Sequence, residues 1–77
     1  MPIRLAELPK GVSARVVEVD ARDEVGRRIL EMGLTPGASI KLVAIAPLGD
    51  PLAFEVRGYR LSLRKAEAAR VAVEPIT

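Results

Sequence analysis

Seventy-seven residues, 49% of them hydrophobic and nearly all of those aliphatic, describe one small domain, 1–77, with a single core that buries about 60% of the unfolded surface. Cysteine and histidine are absent, which excludes a disulfide framework, zinc sites of the Cys/His kind, thiol nucleophiles and the usual general base. Twelve Lys and Arg against ten Asp and Glu leave a charge of only +2, too small to imply a polyanionic partner, and Phe54 and Tyr59 alone make no stacking platform for bases.

Leu5, Leu8 and the turn former Pro9-Lys10-Gly11 make a short lead-in. Val12 to Val19 reads as a β-branched strand, with Val17 and Val19 on one face and Val12, Ala14, Val16 and Glu18 on the other. Asp20 and Asp23 suit a helix start, and Val25, Ile29 and Met32 recur at steps of four and three. That spacing predicts a short helix with one buried stripe and with Arg27, Arg28 and Glu31 exposed. Gly26 lowers its intrinsic propensity, so packing must hold it. The helix stops in Met32-Gly33-Leu34-Thr35-Pro36-Gly37. Gly33 suits the left-handed position past a helix end, and Pro36-Gly37 fits the centre of a type II turn. Leu34 has two readings: the apolar contact of the cap, folded onto the last turn, or a partly exposed anchor for a partner.

Ser39 to Ala46 is a second strand, apolar on both faces at Val43, Ala44 and Ile45 as in a strand entering a closed core. Pro47-Leu48-Gly49-Asp50-Pro51 is a loop, after which Leu52, Phe54 and Val56 alternate with Ala53, Glu55 and Arg57. Gly58-Tyr59 fits a two-residue type II′ hairpin turn, and Leu61 and Leu63 continue the core in a fourth strand. Lys65 to Ala69 is one helical turn, and Val71-Ala72-Val73 a fifth strand before Pro75. The expected fold is mainly β: a small five-stranded barrel with one helix between strands one and two and a helical turn before strand five. Closure would remove the sheet edges. No apolar run approaches the roughly 20 residues that span a bilayer, and the first residues lack a signal peptide's apolar stretch, so a cytoplasmic protein is expected.

Ser13, Ser39, Ser62, Thr35, Tyr59 and Thr77 are the hydroxyls, none with a His to activate it, and no enzyme is expected. Glu18, Asp20, Asp23 and Glu24 could offer oxygen ligands to a metal. Arg22 among them, and the lack of calcium-loop spacing, favour stabilisation of a helix start. The single Gly of the 47–51 loop leads into a strand, which makes a turn and not a phosphate cradle. Arg57 opposes Phe54 and Val56, while Arg60 and Arg64 oppose Leu61 and Leu63, so the three arginines are expected to share an outer face near Lys65. Such a face is a solvated charged surface by default and a protein- or nucleic-acid-binding patch in the alternative.

Four segments in order carry a resemblance: Leu5-x-x-Leu8 with Gly11; Arg28-Ile29-Leu30-Glu31-Met32-Gly33-Leu34-Thr35-Pro36-Gly37; Pro47-Leu48-Gly49-Asp50-Pro51; and Gly58-Tyr59-Arg60-Leu61-Ser62-Leu63-Arg64 followed by Glu67-Ala68. With these spacings the chain resembles the FeoA family, small cytosolic components of bacterial and archaeal ferrous-iron uptake systems. Ser62 departs mildly, standing where many members have Ala. The resemblance implies a Src-homology-3-like (SH3-like) barrel. It also implies a non-catalytic partner of FeoB, the membrane protein with a cytosolic GTPase domain that carries ferrous iron inward, to which the protein would dock to regulate or assemble the transporter. The partner-binding set under that reading is Arg57, Tyr59, Arg60, Arg64, Leu34 and Leu48; Gly33, Pro36, Gly37 and Gly58 are structural turns. The transition-metal label attached to the family finds no His or Cys here, so no metal site and no cofactor is expected. Nor is nucleic acid or direct membrane insertion expected; self-association is expected to be weak, with recruitment to the inner membrane face only through the partner. The alternative is a stand-alone relative of the SH3-like C-terminal domain of iron-dependent repressors of the diphtheria-toxin-repressor type, acting in metal-responsive regulation. Val25 to Met32 faces the core, however, and offers no DNA-reading helix.

Overall fold

Six strands rather than five form one antiparallel sheet in the computed structural model, which describes residues 1–76; Thr77 lies outside the described residues. The strands are β1 (Ile3–Arg4), β2 (Ser13–Val19), β3 (Ser39–Ile45), β4 (Leu52–Val56), β5 (Tyr59–Leu63) and β6 (Val71–Pro75). A 3₁₀ turn at Leu5–Glu7 follows β1, helix α1 (Glu24–Glu31) links β2 to β3, and helix α2 (Lys65–Ala68) links β5 to β6. The additional strand is the lead-in: Ile3 pairs with Val73 and Arg4 with Ala72. Two residues are too few for alternation to reveal a strand.

The order β1-β6-β2-β3-β4-β5 does not close, which corrects the expected barrel seam and leaves β1 and β5 as edges. Helical pieces complete the core in its place. The 3₁₀ turn packs on α2, and Leu5, Leu8 and Ala68 are buried with the sheet residues. Phe54, Ile29, Leu34, Ile40, Leu42 and Leu63 are almost fully enclosed there. Each such side chain contributes about 1.5–3 kcal/mol by leaving water.

Two bulges change which residues face that core. Val16 pairs with Val73 but Glu18 with Ala72, so Val17 is an extra residue in β2 and the alternation changes phase. Ala14 and Val16 point inward while Glu18 is exposed, not on their face as the unbroken pattern suggests. A second shift between Leu42 and Ala44 in β3 leaves Ile45 at 46% exposure, not inside a closed core.

Helix α1 starts where expected, with Asp23 Oδ1 accepting from the Gly26 amide at 3.1 Å. Its interior glycine is a contact requirement. A Cβ at position 26 would lie 2.0 Å from the Asp20 carbonyl oxygen and 2.6 Å from Ala21 Cα, so only glycine lets the helix rest on the segment leaving β2.

Candidate functional site

Among the described residues no polar or charged side chain is buried, so any function lies on the surface. The most elaborated surface is where the chain leaves α1 and meets the β4–β5 hairpin. Gly33, at φ +102°, donates its amide to Leu30 O at 3.0 Å, and the Leu34 amide donates to Ile29 O at 3.4 Å. This is the paired Schellman bonding that satisfies a helix's last carbonyls. Leu34 is fully buried, as the apolar contact of that motif, which corrects its place among partner-binding residues: no surface is left to offer. The next turn closes through the Ala38 amide donating to Thr35 O at 3.0 Å, with Gly37 at φ +94° in the place a type II turn gives to glycine. Two 2.8 Å bonds, Gly37 N to Val16 O and Val16 N to Ala38 O, fasten the corner to β2.

The hairpin turn is formed by Arg57 and Gly58, at φ +49° and +85°, and not by Gly58 and Tyr59. It is therefore a type I′ turn with Val56 opposite Tyr59. The type II′ alternative would set Arg57 directly against Arg60. The observed register sets Glu55 against Arg60 instead, replacing a like-charge pair by an opposite one. Arg57 leaves the strand alternation in this turn, and its Nη2 donates to Thr35 Oγ1 at 3.2 Å. The Tyr59 hydroxyl donates to the Met32 carbonyl. A Cβ on Gly33 would lie 2.6 Å from that hydroxyl, so Gly33 answers to the hairpin as well as to its own backbone. Hairpin tip and helix end are thus held together by two side chains.

The expected partner-binding residues divide between two ends of the sheet. Arg57 and Tyr59, the latter 44% exposed, stand at the hairpin end beside Gly33 and Thr35. Leu48, 96% exposed, tips the loop at the other end of β4. Asp50 of that loop accepts from the Lys65 amide at 2.9 Å, next to Arg64, whose own amide donates to Glu67 Oε1 at 2.8 Å. Arg60 lies between the ends, on the face opposite to Tyr59. The single arginine-bearing barrel face is therefore corrected: Arg57 is in the turn, and Arg60 and Arg64 are about 13 Å apart at 3.3 Å per strand residue. Gly58 and Gly37 have the positive φ their turns need, and Pro36 sits in the first central place of its own.

Two of the four acids around the start of α1, Asp20 and Asp23, are held by arginines. Arg22 Nε and Nη2 donate to both Asp20 oxygens at 2.9 Å, and Arg70 Nη1 and Nη2 to both Asp23 oxygens at 2.5 and 2.7 Å. The Arg22 hydrogen bonds hold the Asp20 carboxyl at about 2, below its ordinary 3.8. Asp23 is lowered chiefly by Arg70 and then by the Gly26 amide. Among the described residues no three His, Cys, Asp or Glu gather as a metal-holding group. Sequence reading missed Arg70, which lies 47 positions from Asp23 and carries no local signal of the pairing.

A sequence model of the FeoA domain matches residues 3–75. The chain belongs to the FeoA family. It is 43% identical over 75 residues to an Fe(2+) transport protein A/Fe(2+) transporter FeoB fusion protein of Porphyromonas gingivalis, a match that covers 97% of this chain and 9% of that protein. The solved FeoA-like protein of Clostridium acetobutylicum is 38% identical with a TM-score of 0.92, covering 99% of this chain and 88% of that one. The FeoA of Stenotrophomonas maltophilia, an SH3-domain protein solved with zinc, is 40% identical with a TM-score of 0.81, covering 96% and 89%. FeoA-family folds are thus SH3-like, and this one is such a fold with an open seam. A manganese-dependent transcriptional repressor shares the fold alone, at 13% identity and a TM-score of 0.85 over 97% of this chain and 42% of that one. No helix of the described residues is long and apolar enough to cross a membrane.

Proposed function

We propose that this FeoA-family protein is a non-catalytic accessory of a ferrous iron uptake system, acting in the cytoplasm by docking to the GTPase-bearing cytosolic part of a FeoB-like transporter. The observation that carries the reading is the Porphyromonas gingivalis relative, in which a segment matching 97% of this chain is joined in one polypeptide to an Fe(2+) transporter. Joining two modules raises the effective concentration of one for the other, which is useful only when they meet. The chemistry of the chain supports an accessory role. Hydroxyls without a base and a surface without His or Cys suit binding better than turnover or metal capture. The repressor-domain reading has only the shared fold behind it, and α1 spends its apolar stripe on the core.

Retention of the protein on the immobilised cytosolic domain of a FeoB-like transporter tests this. Wild type is expected to be retained, and the Arg57→Glu, Arg60→Glu, Arg64→Glu triple variant to be retained at least about tenfold less weight for weight, a loss near 1.4 kcal/mol. Failure of the wild-type protein to be retained, with folding verified by circular dichroism, would reject the accessory reading.

A further inference from the structure

The open sheet has two edges. β1 is only two residues long and runs straight into the 3₁₀ turn, whereas β5 presents five residues. The type I′ turn makes Val56 and Tyr59 a hydrogen-bonded pair, so Phe54–Leu61 and Leu52–Leu63 are hydrogen-bonded too. Arg60 and Ser62 then turn their N–H and C=O groups away from β4. Both residues are exposed, and among the described residues no other strand lies beside them. Outward amides and carbonyls at alternate positions are a template for one more strand, and that ladder selects a polypeptide over any other class of ligand.

The side chains along the same edge say what kind of polypeptide. Arg60 lies on this edge and Arg64 just past its end, with Arg57 in the adjoining turn, all exposed. Among the described residues the ion pairs are Met1–Glu74, Arg22–Asp20, Arg28–Glu67 and Arg70–Asp23, so none of these three cations is neutralised within 4.0 Å. On the opposite face Tyr59 and Leu61 are only partly covered. A second copy of β5 would bring the Arg60 and Arg64 side chains of both copies, four guanidinium groups, to one seam, and like charges across a ladder are destabilising. We propose that the free edge of β5 receives an extended, acidic segment of a partner protein as a seventh strand, its carboxylates facing Arg60 and its alternate apolar side chains facing Tyr59 and Leu61. The inference deepens the accessory reading and rests on it only for the partner's identity.

Two experiments with the full chain separate the two claims. The first uses an acetylated, amidated peptide of alternating Val and Glu at concentrations up to about 1 mM, where binding weaker than roughly −4 kcal/mol escapes detection. Amide shifts are expected to centre on Tyr59 to Arg64, and hydrogen exchange at Arg60 and Ser62 to slow at least about tenfold. Ser62→Pro removes an outward amide without costing a bond to β4, and it and Arg60→Glu are each expected to abolish both effects. A Val-Lys peptide is expected not to bind. Shifts centred elsewhere, equal binding by Ser62→Pro, or no binding of the Val-Glu peptide overturns the proposal, as does dimerisation through β5. The second experiment repeats the exchange measurement with the transporter's cytosolic domain. A complex in which Arg60 and Ser62 exchange as fast as in the free protein sinks the edge and leaves the accessory reading standing. Peptide binding at the edge without any transporter complex does the reverse.

Discussion

Replacing Gly26 by alanine separates two forces acting in opposite directions on one residue. In an unencumbered helix interior the change gains about 0.5–1 kcal/mol, because alanine has less backbone freedom to lose. Here the new Cβ would lie 2.0 Å from Asp20 O, 2.6 Å from Ala21 Cα and 2.8 Å from Asp20 C, all backbone atoms that cannot swing aside. Carbon contacts become favourable only beyond about 3.5 Å, so α1 or the 20–21 segment must retreat by roughly 1 Å or more. That movement strains two bonds at the seam, Asp20 N to Arg70 O at 2.9 Å and Gly26 N to Asp23 Oδ1 at 3.1 Å. Overpacking costs about 1–3 kcal/mol, a rigid obstacle places this case at the upper end, and the propensity gain offsets part of it, so Gly26→Ala is expected to destabilise by about 1.5–2.5 kcal/mol. A domain of this size has roughly 4–12 kcal/mol in total. At about 4–8 °C per kcal/mol, Tm should fall by roughly 6–20 °C in calorimetry, with a matching drop in the urea midpoint at constant slope. Gly11→Ala is the control: nothing lies within 4 Å of its Cβ, and only the positive φ of +85° is penalised, by about 1–2 kcal/mol. A Gly26→Ala protein that melts at or above the wild-type temperature would refute the packing argument.

Leu34→Ala should cost about 2–4 kcal/mol in urea unfolding because the side chain is fully enclosed, while Leu48→Ala, at 96% exposure, should stay within about 0.5 kcal/mol; equal effects would contradict the burial assignment. Asp20 and Asp23 have folded-state carboxyls below the ordinary 3.8, so the unfolded chain takes up protons first on acidification. Their stabilisation is complete above about pH 5 and is lost as pH falls towards 2, so urea midpoints between pH 6 and 2 should decline less steeply in the Asp20→Asn, Asp23→Asn double variant than in wild type. Ferrous iron titrated anaerobically into the pure protein should show no saturable site tighter than about micromolar, near −8 kcal/mol, since the chain lacks imidazole and thiolate ligands. A tight one-to-one calorimetric isotherm would overturn that expectation.

Much of the candidate surface was legible because its parts are local. Gly33 after a helical stripe and Pro36-Gly37 before a strand meet backbone demands that arise within a few bonds, and the observed φ values and turn hydrogen bonds are the ones those residue types require. The hairpin was legible only in part. Gly58 marks a turn under either type, and the choice between them is made by register, where Glu55 opposes Arg60 and the Tyr59 hydroxyl reaches Met32. Gly26 was visible as an anomaly in a helix, but its cause, the Asp20 carbonyl, is a contact between elements.

What the sequence by itself determined is the order of elements, the helix caps, the corner and the family signature, because propensity, capping and turn chemistry act between residues a few positions apart. Tertiary structure decided the two-residue β1, the bulges that turned Glu18 and Ile45 outward, the Asp23–Arg70 pair and the open β5 edge. Each of these depends on which distant segment supplies the partner for a backbone or a charge. That choice is made by packing one core from the whole chain, and no local window contains it.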